Sequence, residues 1–169
     1  MYLVIKIIIL LLLGTSVYAG LRGAPWVPTK KNDIARVLKL SDIKKDQKMI
    51  DLGCGNGRIV FAAAKKGIKA DGLEVSLFPF VLAKLNELFA NNKNARIKYR
   101  DMWSYNLADV DLVYFFLTPK VIPKLKKKFE DELRPGTKVI SYVWPIEGWE
   151  PIKIDTYSGN PTMYLYQFK

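Results

Sequence analysis

The densest concentration of residues able to do chemistry is the run Asp51-Leu52-Gly53-Cys54-Gly55-Asn56-Gly57-Arg58. Glycines at alternate positions let the backbone take positive φ and approach a ligand closely. The alanine-rich segment that follows predicts a helix whose first N–H groups are unpaired at the same point. Such a turn binds a cofactor. A dinucleotide fingerprint spaced G-x-G-x-x-G would begin at Gly53 and need glycine or alanine at position 58, where Arg58 stands, so it fails at the position meant for close helix–strand packing. Two more acidic residues, Glu74 and Asp101, each follow a short strand-like segment.

What is absent narrows the chemistry further. The chain has 169 residues, no histidine and Cys54 as its lone cysteine. This excludes a zinc finger, a catalytic zinc site of the usual ligand sets, Ser-His-Asp and Cys-His nucleophiles, and an internal disulfide. No metal is expected. Cys54 reads as a small side chain filling a tight turn rather than a reactive thiol. Against 16 Asp+Glu stand 27 Lys+Arg, a formal charge of +11 that attracts anionic lipid, acidic protein or nucleic acid alike. Beside an apolar N-terminus, a basic face resting near anionic lipid is favoured and nucleic acid disfavoured. Lys124, Lys126, Lys127 and Lys128 offer a candidate docking patch, although Glu130, Asp131 and Glu132 behind them favour an ordinary solvated helix face.

The elements that must position the turn alternate in type. A helix is predicted over 31–40, with Ile34, Val37 and Leu38 on one face, then a strand at 49–52, a helix at 57–66 and a strand at 69–74. A helix over 77–91 follows, with Pro79 in its first turn and Phe80, Leu82, Leu85, Leu88 and Phe89 turned inward. Next come a strand at 95–99, an apolar run at 110–117, a helix at 119–133 and a strand at 138–143. Extended stretches at 152–156 and 162–168 close the chain. This is an α/β fold: a single doubly wound Rossmann-like sheet, mostly parallel and covered on both faces, with a C-terminal antiparallel hairpin.

Ahead of that domain lies an apolar segment. Residues 3–13 are apolar except for Lys6, and the character continues more weakly to Leu21. About 19 helical residues would just cross a bilayer. The favoured organisation is an N-terminal transmembrane helix over 1–21, a Gly/Pro-bearing linker over 22–30 and a domain over 31–169. A cleaved signal peptide, with Val17-Tyr18-Ala19 as its cleavage site, is the rival. Basic residues crowd after the segment (Arg22, Lys30, Lys31, Arg36, Lys39), so the positive-inside rule places the domain in the cytoplasm as that of a single-pass membrane protein.

The glycine run resembles the D-x-G-x-G-x-G signature of class I S-adenosylmethionine-dependent methyltransferases. Glu74 and Asp101-Met102 fall where that likeness needs them. The resemblance implies S-adenosylmethionine as cofactor, held by Asp51, Gly53, Gly55 and Gly57. It further implies that Glu74 grips a ribose diol, Asp101 accepts from the adenine amino group and the Met102 N–H reads the ring. Val27-Pro28-Thr29, Gly72-Leu73-Glu74, Asp101-Met102-Trp103, Phe116-Leu117-Thr118 and Leu133-Arg134-Pro135-Gly136 resemble one smaller family within that class. It contains the archaeal broad-specificity protein lysine methyltransferases and the mitochondrial methyltransferases of the ATP synthase c subunit and adenine nucleotide translocase. The likeness runs from about residue 26 to the C-terminus. It implies methylation of a lysine in a protein substrate, with Thr29 and Trp26 folding over the cofactor. Asn56 stands where that family usually has aspartate, which removes a negative charge from the turn.

Methyl transfer from a sulfonium to an amine demands alignment and a neutral nucleophile. No general base can be nominated from the sequence. The aromatic edge Tyr114-Phe115-Phe116-Leu117-Thr118, with Trp103 and Trp144, suits an extended lysine stem, and Phe116, Trp103 and Trp144 are the candidate channel residues. Tyr114 and Phe115 read as core. The Asn/Asp-Pro-Pro-Tyr/Phe tetrapeptide that holds a planar exocyclic amine is absent. Two alternatives stay open: a methyltransferase acting on a lipid, small molecule or RNA, and a cofactor-binding module without catalysis. A membrane protein is the acceptor that proximity favours, and oligomeric state is not readable.

Overall fold

The computed structural model describes residues 1–169, apart from the side chains of Ile8 and Arg22. In chain order the elements are α1 (Tyr2–Arg22), α2 (Lys31–Ser41), β1 (Lys48–Leu52), α3 (Arg58–Lys65), β2 (Lys69–Glu74), α4 (Leu77–Ala90) and β3 (Ala95–Tyr99). They continue with a 3-10 turn at Met102–Ser104, β4 (Leu112–Phe115), a second 3-10 turn at Pro119–Val121, α5 (Ile122–Glu132), β5 (Lys138–Tyr142), β6 (Lys153–Asp155) and β7 (Met163–Gln167).

The seven strands form one sheet in the order β3-β2-β1-β4-β5-β7-β6. Strands β3, β2, β1, β4 and β5 run parallel, and β7 enters antiparallel between β5 and β6. The order reverses between β1 and β4, and a ligand crevice opens at such a switch point beyond the strand C-termini. Register there is fixed: Asp51 pairs with Gly72 on one side and Tyr114 on the other. That pairing brings Asp51, Glu74 and Tyr114 to the same edge.

Two buried clusters hold the sheet. One packs Val37, Val60, Ala63 and Ala83 of α2, α3 and α4 against Met49, Ala70 and Ile97. The other packs Leu125 and Phe129 of α5 against Ile50, Val113 and Val139. The second face is incompletely covered, contrary to the expectation of helices on both sides. Only the turn Met102–Ser104 lies between β3 and β4, so no crossover helix shields that part of the sheet. Polar side chains occupy the gap instead: Lys98 Nζ lies 2.5 Å from Asp71 Oδ2, and the Tyr105 hydroxyl bonds the same oxygen at 3.2 Å.

Two local expectations are corrected. The helix expected from residue 119 begins at Ile122, because Pro123 has no N–H to bond the carbonyl of residue 119, and a 3-10 turn precedes it. On α4, Phe80 and Leu82 are half-buried, whereas Leu85, Leu88 and Phe89 point outward, Leu88 being 73% and Phe89 83% exposed. The buried face is instead Pro79 and Ala83. Glu87 fixes this rotation by accepting the Ile97 N–H of β3 at 2.8 Å, and Ala83 lets the helix approach closely.

Candidate functional site

The glycine turn is shaped by β2. Gly53 N and Cys54 N both donate to the Leu73 carbonyl, at 3.0 and 2.9 Å, which bends the chain off β1. Gly53, Gly55 and Gly57 hold φ of 80°, 55° and 80°, in the left-handed region that disfavours side chains. Gly57 then caps α3. Cys54 is buried, its sulfur where a Cβ on Gly72 would come within 2.7 Å. Burial pushes its thiol up, so it is the inert filler expected.

The three acids meet at this edge in different states. Asp51 is 3% exposed and makes no side-chain hydrogen bond or ion pair among the described residues. Burial, with the charge of Glu74 beside it, holds its carboxyl well above the ordinary range. Glu74 is also buried, and desolvation raises it, but backbone donors moderate the rise. Its Oε1 accepts from Val75 N at 2.9 Å and Ser76 N at 2.8 Å, and its Oε2 from Gly55 N at 2.8 Å. A carboxylate oxygen accepts about two bonds, so the remaining capacity lies on Oε2. Asp101 Oδ1 caps the Met102–Ser104 turn by accepting from Trp103 N at 3.0 Å. Its Oδ2 accepts from the Tyr18 hydroxyl of α1 at 3.2 Å.

Residues 22–30, expected as a linker, form a roof over the turn. The Gly23 carbonyl accepts from Thr118 N at 3.2 Å and Thr118 Oγ1 at 2.7 Å. A Cβ on Gly55 would lie 2.5 Å from Trp26 Nε1, so the indole rests directly on the turn, its edge against Phe78 at a centroid distance of 5.7 Å. Arg58 Nη1 donates to the Thr29 carbonyl at 3.2 Å, and Thr29 Oγ1 lies 3.2 Å from the Tyr114 hydroxyl. Between roof and strand ends lies a cavity bounded by Ala19 and Gly23, the glycine turn, Glu74, Asp101-Met102, and the end of β4 at Tyr114, Phe116 and Leu117.

The structure brings together Thr29, Asp51, Gly53, Gly55, Glu74, Asp101, Met102 and Phe116 around this cavity, with Gly57 directly behind the turn. It does not bring Trp103 and Trp144 to the cavity wall. Trp103 carries Lys124 Nζ 4.3 Å from its ring centre, and Trp144 is exposed beyond β5 with its carbonyl bonded by Ser141. Phe116 stands with its edge toward Tyr142 at 4.6 Å. Behind it, Tyr142 donates to the buried Asp33 at 2.6 Å, Arg36 donates to Asp33 at 2.7 Å, and Arg36 also pairs with Asp155. This network ties α2 and the β6–β7 hairpin into the wall.

Sequence reasoning missed two contributors. Tyr114 is buried core, as expected, yet its hydroxyl reaches the cavity, because a strand covered on both sides shows no alternation that would reveal its tip. The last turns of α1 close the cavity through Ala19 and Gly23, a long-range contact with no local signature. Among the described residues no cluster of three or more His, Cys, Asp or Glu could hold a metal ion.

The donors present fit S-adenosylmethionine. Asp51 is a buried carboxylate lacking a cationic partner, and the ammonium of the cofactor's aminoacyl end would supply one. The free capacity on Glu74 Oε2 suits a hydroxyl.

The chain is similar to known proteins. A family model described as the ANTKMT methyltransferase domain matches residues 51–153. The chain is 36% identical over 153 residues to a protein-lysine N-methyltransferase of Saccharolobus islandicus, covering 84% of this chain and 92% of that one. It is 34% identical over 132 residues to the adenine nucleotide translocase lysine N-methyltransferase of Mus musculus, covering 77% of its own length but only 57% of that relative. A crystal structure of an RNA methyltransferase from Salinibacter ruber in complex with S-adenosyl-L-homocysteine superposes with a TM-score of 0.79 at 29% identity, covering 84% of this chain and 94% of that one.

Proposed function

This chain belongs to the ANTKMT methyltransferase-domain family, and we propose that it moves a methyl group from S-adenosylmethionine to the side-chain amine of a lysine in a protein, from a site held at a membrane. The observation that carries the reading is the buried, unpartnered Asp51 in a cavity that Phe116 also lines. When bound, the cofactor supplies an electrophilic methyl on a sulfonium. The chain's own residues do the rest. Asp51 would hold the cationic aminoacyl end, Glu74 Oε2 would accept from a ribose hydroxyl, and Asp101-Met102 would hold the base. The roof from Gly23 to Thr29 excludes water from between them.

The acceptor must arrive neutral. A lysine of pKa near 10.4 is neutral about once in 10³ to 10⁴ at pH 7, a handicap of roughly 4 to 5 kcal/mol. A dry approach along Phe116 and Leu117, toward a positive sulfonium, lowers that pKa by desolvation and like-charge repulsion. No side chain is assigned as general base.

The test is transfer of labelled methyl by the full chain into an extract with its membranes retained, followed by separation of protein, nucleic acid and lipid. The full chain is used because Ala19 and Gly23 close the cavity. Label recovered as methyl-lysine, and lost in Asp51→Asn, supports the reading. Label in RNA would favour the activity named for the Salinibacter ruber protein instead.

Tyr2–Leu21 is long and apolar enough to cross a membrane. We read it as a retained anchor with the domain on the cytoplasmic side. Thr15 Oγ1 accepts the Leu77 N–H at 3.1 Å and Ser16 Oγ lies 3.2 Å from Ser76 Oγ, contacts that a cleaved leader would not need. Alkali extraction of membranes containing the full chain tests retention. Release into the soluble fraction would remove the anchor.

A further inference from the structure

We infer that the outer face of α4 and the adjoining edge of β3 form a second membrane-contact surface, which lays the domain flat on an anionic bilayer beside α1. This rests on the reading of α1 as a membrane anchor.

The length of α1 calls for such a surface. The last part of α1 is committed to the domain: Thr15, Ser16, Tyr18 and Ala19 all touch it. That leaves residues 2–11, about 10 residues spanning roughly 15 Å, ahead of Leu12, the first half-buried position of the helix. A hydrocarbon core is about 30 Å thick, so this part alone falls short by about 15 Å. The remaining residues up to Leu21 supply that distance only if the surface they dock on enters the membrane with them. That surface is the N-terminus of α4, where Ser76 and Leu77 receive Ser16 and Thr15, together with Asp101 and the cavity rim, where Tyr18 and Ala19 dock. An interfacial amphipathic helix sinks about 5–10 Å, which supplies the larger part of that distance.

The chemistry of α4 calls for it as well. Phe78, Val81, Leu85, Leu88 and Phe89 are exposed, and their spacing of three and four residues aligns them in one stripe that begins beside α1. A stripe of this kind on a soluble face calls for a covering partner. Directly beyond it, Lys93 and Arg96 border the same surface as Val81, Leu85 and Leu88, whereas Lys98 is held by Asp71 on the other face of the sheet. Lys93 and Arg96 are exposed and carry no ion pair among the described residues. Exposed Tyr99, packed on Phe80 at 5.1 Å, adds an interfacial aromatic. An apolar stripe with cations along its rim suits acyl chains beneath phosphate headgroups.

The patch on α5 does not share these properties. Lys126, Lys127 and Lys128 pair with Glu130, Asp131 and Glu132 one turn on, and Lys124 lies over Trp103. Those lysines are internally compensated, as the solvated-face reading expected.

The test uses the full chain reconstituted in vesicles of phosphatidylcholine and phosphatidylglycerol, with an environment-sensitive fluorophore on one introduced cysteine: Leu88→Cys on the stripe, Leu10→Cys in α1, or Tyr157→Cys near the opposite edge of the sheet. Cys54 is buried and does not compete for label. The expected result is blue-shifted emission and quenching by headgroup-proximal nitroxide lipids at positions 10 and 88, with position 157 unaffected. Adding Lys93→Glu and Arg96→Glu should reduce quenching at 88 several-fold while leaving position 10 unchanged. A probe at 88 that stays in water while the probe at 10 enters lipid overturns the surface and spares the anchor. Water at both positions overturns the anchor and this inference with it. A probe at 88 that is shielded from water, unquenched by lipid and dependent on protein concentration assigns the stripe to a second copy, and also overturns the inference.

Discussion

The hydroxyl of Tyr18, in the N-terminal helix, donates to Asp101 Oδ2 at 3.2 Å across 83 residues of sequence. A segment whose composition suits a membrane therefore touches the acid that follows β3 at the cofactor cavity. Ala19 and Gly23 extend the contact, since a Cβ on Gly23 would come within 3.2 Å of Leu117 and 3.3 Å of Met102. The N-terminal helix and the site are mechanically one unit.

Removing that hydroxyl tests the coupling. Tyr18→Phe deletes a hydrogen bond to a carboxylate, an interaction of about 1.5–3 kcal/mol when well shielded and less at this exposed position. A roughly three- to tenfold weaker affinity of the full chain for S-adenosylhomocysteine is expected, measured by calorimetry. Unchanged affinity would mean that α1 rests on the domain without shaping the cavity.

Asp51 gives a signed dependence on pH. Its carboxyl is held well above 3.8, by desolvation first and by Glu74 second, so the ligand-free folded state binds a proton that the unfolded chain has released. Stability then falls as pH rises from about 4 through the folded-state pKa, because the unfolded state gains charge more readily. In Asp51→Asn this contribution vanishes. The ligand-free variant should melt higher than the parent, by a margin that widens as pH rises from about 4 through the folded-state pKa. Its affinity for the cofactor should fall roughly 10- to 100-fold, the loss of one charge-assisted contact. Melting curves with and without S-adenosylhomocysteine across that range check both statements. A margin that narrows with rising pH would sink the assignment of Asp51 as a buried acid awaiting a cation.

Gly55 carries two separable constraints. Its φ of 55° is in the left-handed region, and a Cβ there would lie 2.5 Å from Trp26 Nε1. Gly55→Ala should cost about 1–3 kcal/mol, part backbone strain and part displacement of the indole. Trp26→Ala removes the second part. A double-mutant cycle by chemical unfolding should therefore show a coupling of at least about 0.5 kcal/mol, with the double variant more stable than the sum of the two single losses. Additive losses would place the indole away from the turn in solution.

The legible part of this molecule follows from local physics. Alternating strand and helix patterns, a glycine turn after β1 and acids at the ends of β2 and β3 suffice to place Asp51, Glu74 and Asp101 at one sheet edge, because parallel register does the rest. Rotation of α4 is not legible. That helix is apolar on most of its circumference, so periodicity gives no unique inward face, and the deciding contacts are Ala83 against the sheet and Glu87 on Ile97 N. The open part of the second face is hidden for a related reason: the nine residues from Asp101 to Asp109 read as a short connection, but the helix they omit is visible only once the topology is known. Trp103 faces a cation, as its residue type suggests, but the cation is Lys124 of the same chain. Residue type predicts the interaction and does not predict the partner.

Phe116 separates acceptor binding from cofactor binding. It lines the cavity at the end of β4 and is fixed edge-on by Tyr142, which Asp33 holds in turn. Trp144, beyond β5, is absent from the cavity wall and is 41% exposed. In Phe116→Ala the lysine stem loses one wall and its alignment with the methyl, and misplacement of about 1 Å can cost on the order of 10²-fold in rate. The expected outcome is a 10- to 100-fold fall in kcat/KM for the methylated protein, with cofactor affinity within about twofold of the parent. Trp144→Ala should change kcat/KM by less than about threefold, the size usual for an exposed substitution. Tyr142→Phe supplies the intermediate case: it leaves Phe116 in place but removes a 2.6 Å bond to Asp33. A loss of about 1.5–3 kcal/mol in stability should accompany only a modest loss of activity. If Trp144→Ala proves as damaging as Phe116→Ala while cofactor affinity is kept in both, the acceptor approaches across the β5 end, and the channel must be redrawn around that tryptophan.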